Sequence, residues 1–163
     1  MKNRILIIGS PGSGKSTFAR ALGKKLNIPV YHLDNLYWNA DKTNVERDVF
    51  DRSLTEVLEK ESWIIDGNYS RTMEMRLEKA DTVFFLDLPV EVCLESVRNR
   101  IGTVRPDIPW VEEEEDAEFM EYIRNFPETH IPRMLSLFDK YPDKEYITFR
   151  TRDEADKFLN GLN

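Results

Sequence analysis

An α/β fold is what this sequence predicts: a five-stranded parallel sheet in a three-layer α/β/α arrangement. Three observations carry it. Five short apolar runs, continuous rather than alternating, have the composition of strands buried on both faces. Stretches of helical period separate them in the manner of βαβ units. A glycine-rich turn follows the first run and leads straight into a helix.

The elements follow in order. Arg4–Ile8 is the first strand, an unbroken apolar run. Lys15–Leu26 is the first helix, with Phe18, Leu22 and Leu26 on one face at i, i+4, i+8. Val30–Leu33 is the second strand. Val45–Lys60 is helical, with Val49, Phe50, Leu54, Val57 and Leu58 as its apolar stripe. Trp63–Ile65 is the third strand and Arg71–Lys79 a shorter helix. Thr82–Leu88 is the fourth strand, and Pro89 starts a helix over Val90–Arg100. The next segment contains Gly102, Pro106 and Pro109 and reads as a loop. Glu114–Asn125 and Ile131–Tyr141 are helices separated by Pro127 and Pro132. Glu145–Phe149 is the fifth strand, and Asp153–Leu162 closes the chain with Ala155, Phe158 and Leu159 facing inward. Crossovers in such a sheet are right-handed, and ligands bind at the carboxyl ends of its strands.

The bulk properties set limits. The 163 residues suit one domain over 1–163 with a substantial core. No apolar stretch approaches the roughly 20 residues of a membrane span. Met1-Lys2-Asn3-Arg4 leads directly into the first strand without a signal-peptide pattern, and the single Cys93 excludes an internal disulfide. A cytoplasmic location and no membrane partner are expected. Cys93 reads as a packed thiol. Two histidines and one cysteine leave no structural zinc cluster. The net charge of −7 argues against direct binding to nucleic acid, which needs clustered Lys and Arg. Much of the excess lies in Glu112-Glu113-Glu114-Glu115-Asp116, read as a solvated loop or helix start.

The chemistry begins at Gly9-Ser10-Pro11-Gly12-Ser13-Gly14-Lys15-Ser16, which fits G-x-x-x-x-G-K-[ST] at every fixed position. Glycines let backbone N–H groups approach phosphate oxygens, and the following helix presents its partly positive end to the same place. Gly9 through Thr17 are the predicted nucleotide-binding residues. Lys15 reaches the β- and γ-phosphates of ATP, and Ser16 ligates Mg²⁺.

The other strand ends supply carboxylates. His32-Leu33-Asp34, Asp66-Gly67-Asn68-Tyr69 and Asp87-Leu88-Pro89 each place an Asp beside the phosphate loop. Such an Asp can hold Mg²⁺ waters, or orient or deprotonate an acceptor. Asp34 and Asp66 are the stronger candidates. Asp87 is as readily a cap, and His32 reads as a packed histidine. Phosphoryl transfer also needs cations over the transferring group. Arg98, Arg100 and Arg105 lie in or beside the loop over residues 101–116, a candidate lid. Arg100 and Arg105 are the expected catalytic pair, with Arg124 and Arg133 in reserve. Residues 35–62 are the place for an acceptor cap. There Tyr37 and Trp38 stack either on a ligand ring or on each other in a small satellite core.

Together these residues resemble the adenylate-kinase-like branch of P-loop kinases. Asp66-Gly67-Asn68-Tyr69-Ser70-Arg71-Thr72 is similar to the D-G-F-P-R-T segment of adenylate kinases, with one extra residue before the arginine. Leu86-Asp87-Leu88-Pro89 and a helix ending at Arg100 are similar to their L-D-V-P…R-R segment. The resemblance implies that Asp66 lies near Mg²⁺, Arg71 binds the acceptor and Arg100 grips phosphate. By the same analogy the loop after the fifth strand contacts the base, with Arg152 stacking on adenine. The chain departs from that family in two places. One family arginine falls at Ser96, and the acceptor-side T-G-D segment is replaced by His32-Leu33-Asp34-Asn35-Leu36-Tyr37-Trp38. The phosphate loop, the His32–Trp38 segment, Trp63-Ile64-Ile65-Asp66-Gly67-Asn68-Tyr69, the lid and Asn125-Phe126-Pro127 together resemble the bacterial DNA topology modulation (FlaR-like) proteins over nearly the whole chain.

The residues therefore predict a small ATP-dependent kinase whose acceptor is a small molecule or a nucleotide. An anionic acceptor needs arginine clamps, whereas a hydroxyl acceptor benefits from a base such as Asp34. The alternative is a non-catalytic ATP-sensing regulator that acts indirectly on DNA topology. A GTPase switch lacks its N-K-x-D and D-x-x-G segments here.

Overall fold

In the computed structural model, residues 3–162 are described; Met1, Lys2 and Asn163, and with them the reading of the extreme N-terminus, lie outside. Strand β1 (Arg4–Gly9) occupies the middle of the sheet because it can be buried on both sides: Ile5 through Ile8 are fully inaccessible. Its neighbours are β3 (Trp63–Asp66) and β4 (Thr82–Leu86), each buried along its whole length. The edges are β2 (Val30–His32) and β5 (Glu145–Phe149), giving the order β2-β3-β1-β4-β5 with every pair parallel. The edge strand β5 has exposed and intermediate positions that the central strands lack.

Because side chains alternate along a strand, β1 feeds two separate cores. Leu6 and Ile8 pack with Phe50, Leu54, Met73, Leu77, Met134 and Phe138. These come from α3 (Arg47–Leu58), α4 (Ser70–Lys79) and α7 (Ile131–Lys140). Ile5 and Ile7 pack with Phe18, Leu22, Cys93, Val97 and Ile123 on the other face. Those belong to α1 (Lys15–Leu26), α5 (Val90–Arg100) and α6 (Ala117–Thr129), and α8 (Arg152–Asn160) adds Ala155. This is the expected three-layer architecture. Each fully buried aliphatic or aromatic side chain contributes about 1.5–3 kcal/mol of transfer free energy.

Four local departures have physical causes. The second strand is one residue shorter than expected because Leu33 turns into a short helix, α2 (Leu33–Tyr37). The fourth strand ends at Leu86, as Pro89 cannot donate to a ladder. Pro127 does not end α6, which runs on to Thr129. In the last turn a proline forfeits a single ladder bond, and tertiary burial of Phe126 and Ile123 holds the helix. The break falls instead at His130, which caps both α6 and α7, with Pro132 in the first turn of α7. Residues 101–116 contain neither helix nor strand; the loop extends three residues past the expected helix start at Glu114, because Asp116 caps α6 and the helix begins at Ala117.

Candidate functional site

The carboxyl ends of the central strands open onto a cavity of about 790 Å³. At one end lies the loop between β1 and α1. Gly12, at φ 82, packs so closely on α5 that a Cβ there would overlap the Cys93 carbonyl. Gly14, at φ 90, caps α1 in the left-handed region without any side-chain cap. The N–H groups of the first turn are thus left for a ligand. The Lys15 ammonium lines the cavity and has no hydrogen bond or ion pair among the described residues. Asn68 braces the loop from β3: its amide donates to the Gly9 carbonyl (2.7 Å) and its oxygen accepts from the Gly9 N–H (3.2 Å).

Ser16 and Asp66 meet directly, the hydroxyl donating to Asp66 Oδ2 at 2.5 Å. His32 Nδ1 approaches the same oxygen at 2.7 Å. Asp66 is only 4 % exposed, yet its Oδ1 has no hydrogen-bond partner. A buried carboxylate oxygen without a partner beside a hydroxyl suits a hard cation that takes oxygen ligands. Among the described residues no group of three or more His, Cys, Asp or Glu forms an all-protein metal cage. Magnesium sites of nucleotide enzymes use one or two carboxylates with waters and phosphates, so this donor set fits.

Asp34, on the first turn of α2, faces the same cavity. Burial pushes its carboxyl above the ordinary range, while a hydrogen bond from the Tyr69 hydroxyl and the charge of Lys15 act in the opposite direction. Tyr69 itself is held at φ 24. Its carbonyl and those of Gly67 and Asn68 accept from Arg76, a fully inaccessible guanidinium, at 2.5–3.0 Å. Burial pulls Arg76 down to about 9, so it stays charged at neutral pH and clamps this turn.

The loop over residues 101–116, the candidate lid, reaches the phosphate loop through Asp107, whose Oδ2 lies 3.4 Å from the Ser16 hydroxyl. Arg105 pairs with Asp107 (2.6 Å) and with Glu112, and Arg100 lies 3.6 Å from Glu112. The Arg100 Nε is buried without a hydrogen-bond partner, and burial pushes that guanidinium down. Asn35 donates to the Pro106 carbonyl (2.7 Å), and Trp110 of the lid meets Trp38 edge-on with ring centroids 5.6 Å apart. The far wall is the α6–α7 corner, where Phe119 stacks on Tyr122 and Tyr122 packs on His130 at 5.1 Å. Arg133, Met134 and Leu137 complete it. Burial and the neighbouring Arg133 hold His130 below its ordinary pKa, so it is neutral at pH 7.

The structure brings Gly12, Gly14, Lys15, Ser16, Thr17, Asp34, Trp38, Asp66, Arg100, Arg105 and Arg152 to one cavity. Arg152, at the start of α8, donates to the Gly12 carbonyl at 3.0 Å and to Ser96. Gly9, Ser10 and Ser13 shape the loop from behind; Ser10 and Ser13 are buried there.

Several readings need correction. Tyr37 is not on the cavity wall: it packs on Trp38, Phe50 and Tyr69, the satellite-core alternative. Arg71 is also outside it, 46 % exposed and paired with Asp51 at 2.6 Å. Asp87 pairs with Arg150, and Arg124 with Glu121, both away from the site. Glu112 is a lid ion-pair partner rather than a solvated charge. The rest of that run fits the reading as a solvated loop and helix start: Glu113 and Glu114 are exposed, Glu115 pairs with Arg98 at the surface and Asp116 caps α6. His32 is packed as expected, but against Asp66. Sequence reasoning missed Asn68, Arg76, Asp107 and the aromatic corner. Asp107 had a faint signal in Arg105-Pro106-Asp107, a carboxylate two residues from a lid arginine.

Comparison with known proteins places these features among kinases. Residues 5–121 match the family described as AAA domain. A deoxyadenosine kinase from Dictyostelium discoideum is 23% identical over 98% of this chain and 82% of its own length. A shikimate kinase from Clostridium beijerinckii is 31% identical over 60% of this chain, which spans 66% of that protein. An adenylate kinase from Mycobacterium leprae is 31% identical over 52% of the chain and 46% of its own length. Two solved structures share the fold. Shikimate kinase from Bacteroides thetaiotaomicron superposes with a TM-score of 0.63 at 24% identity, covering 98% of this chain and 96% of that one. Shikimate kinase from Acinetobacter baumannii, in complex with shikimate, gives 0.61 at 19% identity, covering 100% and 97%.

Proposed function

The chain belongs to the AAA domain family, and from that premise we propose that it is an ATP-dependent kinase that phosphorylates a hydroxyl group of a small acceptor. The observation that carries the acceptor class is Asp34. It is the one carboxylate that faces the cavity beside Lys15 and Tyr69 without being engaged by Ser16 or by a lid arginine. Its raised pKa suits a base that must accept a proton from an alcohol. A phosphate acceptor would need several arginine clamps on the acceptor side; Arg71 is turned outward and Arg76 is consumed by backbone carbonyls, which leaves Arg133 as a single cation there among the described residues. Kinase activity as such is supported by the relatives and structural neighbours, all of them kinases.

The phosphate loop and the uncapped end of α1 cradle the ATP phosphates, with Lys15 against the β- and γ-groups. Ser16 and Asp66 would hold Mg²⁺, which would supply neutralisation of the phosphate charge. Asp34, kept in place by Tyr69, orients the acceptor hydroxyl and takes its proton as the oxygen–phosphorus bond forms. The β–γ bridging oxygen leaves with ADP. Arg100 and Arg105, released from Glu112 and Asp107 by the incoming phosphates, bind the transferring group. Trp38, Tyr122 and the apolar corner around Met134 shape the acceptor end.

A second reading rests on the resemblance to the DNA topology modulation proteins. With a net charge of −7, such an effect would be indirect and would follow from nucleotide or metabolite levels in the cytoplasm. The test is ADP release from Mg-ATP over a panel of nucleosides, small hydroxy metabolites and nucleoside monophosphates, with Lys15→Ala as the blank. Stimulation by a hydroxyl acceptor, lost in the variant, is expected. Stimulation by monophosphates alone would reject the base role of Asp34. A flat panel with intact ATP binding would favour the non-catalytic ATP sensor.

A further inference from the structure

The lid carries a carboxylate that the kinase reading does not use. Asp107 is 6 % exposed although its loop lies at the surface. Its Oδ2 lies 3.4 Å from the Ser16 hydroxyl, and that hydroxyl also reaches Asp66 Oδ2 at 2.5 Å. Oxygens that share an octahedral magnesium at about 2.1 Å lie roughly 3 Å apart when adjacent. The Ser16 oxygen thus stands between carboxylate oxygens of Asp66 and Asp107, at separations on either side of that spacing. Asp66, which lines the same cavity, also keeps its Oδ1 buried and unpartnered. The lid segment is held there by contacts that do not involve Asp107. Asn35 anchors the Pro106 carbonyl, and Trp110 rests on Trp38. Arg105 grips the Asp107 carboxylate through both its Nε (3.2 Å) and Nη2 (2.6 Å), which fixes its direction.

We propose that Asp107 is a divalent-cation ligand carried on the lid, so that metal binding at Ser16 and Asp66 draws the lid shut over the nucleotide. The inference rests on the Mg-ATP reading above and extends it to a residue of the lid. Closure and metal loading become one event. A nucleotide bound without metal leaves the lid held by Asn35, by Trp110 and by the Arg98–Glu115 and Arg100–Glu112 pairs. Metal then adds a link between the lid and the phosphate loop. It also loosens Arg105 from Asp107 and makes that arginine available to phosphate.

The test uses the full chain with a non-hydrolysable ATP analogue. Mn²⁺ binding is read from the resonance of the free ion, and lid position from tryptophan fluorescence. Asp107→Asn and Asp107→Ala are compared with wild type and with Ser16→Ala. The expected result is Mn²⁺ binding weakened about tenfold or more in both Asp107 variants. Their metal-free analogue binding is unchanged, and the metal-dependent fluorescence change is lost. Mn²⁺ affinity equal to wild type in both variants overturns the proposal. So does tighter metal-free analogue binding in them, which would make Asp107 a stand-in for phosphate. Failure of wild type to bind Mn²⁺ with the analogue, or no effect of Ser16→Ala, removes the Mg-ATP reading itself and the proposal with it.

Discussion

The Tyr69 hydroxyl donates a hydrogen bond to Asp34 Oδ1, tying the turn after β3 to the segment after β2 across the cavity. Two opposed influences therefore meet on one carboxylate. Burial raises its pKa, and the tyrosine, as a donor to the ionised form, lowers it. If Asp34 is the base, the acid limb of kcat/KM for wild type lies above the ordinary Asp range. Tyr69→Phe removes the lowering contribution and keeps the ring packed on Tyr37 and Phe50. The acid limb then moves to higher pH, while activity on the alkaline plateau falls only a few-fold. Profiles of kcat/KM from pH 4 to 9 decide this, and an unmoved limb would remove Asp34 from the base role.

Asp34→Asn separates activity from stability. Loss of a general base costs about 10²–10⁴-fold in turnover. Stability moves the other way. The carboxyl pKa is raised in the folded state, so the folded protein binds this proton more tightly than the unfolded chain does. Stability from this group is full below the unfolded pKa and is lost as pH rises through the folded one. At pH 7 the ionised Asp34 is therefore a cost, and the neutral amide removes it. A Tm a few degrees above wild type at pH 7, with the difference shrinking as pH falls toward 4, is expected from paired thermal melts. A lower Tm at pH 7 would contradict the sign.

Arg76 is the structural counterpart. It has no route to substrate, yet three carbonyls of the site turn depend on it. Arg76→Leu keeps bulk but strands those acceptors in a dry interior, at about 1–3 kcal/mol for each one left unsatisfied. A fall in Tm of roughly 10 °C follows for a chain of this size, even if some carbonyls find water. Arg76→Lys restores charge but not the planar fork, and recovers only part of the loss. Full stability in the leucine variant would mean that the turn needs no clamp.

The elements that were legible from sequence are those whose signal is local. An unbroken apolar run such as Ile5–Ile8 has one stable fate, and the i, i+4, i+8 spacing of Phe18, Leu22 and Leu26 fixes the face of α1. The phosphate loop is local too, since its chemistry is written in eight consecutive residues. What escaped was set by distance in the chain. Asn68 finds Gly9 59 positions away, and Asp107 reaches Ser16 91 positions away. Arg71 and Arg76 lie on one helix, and only the fold decides that the first is spent on Asp51 and the second buried. The aromatic corner required α6 to run through Pro127, against local propensity, so that Tyr122 and His130 meet.

The arginines supply the last prediction. Arg71 is the acceptor ligand that the adenylate-kinase resemblance implies, but it lies on the outer face of α4 in an exposed pair with Asp51. Solvent and salt screen an exposed pair almost completely, so Arg71→Ala leaves stability nearly unchanged. Acceptor KM also stays within about threefold of wild type in this variant, because no cavity wall is altered. Arg133 has the opposite profile: it lines the cavity beside His130 and Met134 and is without an ion-pair partner among the described residues. Its place on the α6–α7 corner, beside His130 and Met134, assigns it as a binding contact and not a catalytic one. Arg133→Ala therefore raises acceptor KM about tenfold with kcat little changed, the mark of an interaction made equally in ground and transition states. Arg124→Ala, on the solvent face of α6 and paired with Glu121, is the matched control. Steady-state kinetics on the three variants with the acceptor identified by the panel settle the assignment. A large KM effect at Arg71 with none at Arg133 would move the acceptor to the outer face of α4 and overturn the cavity as its site.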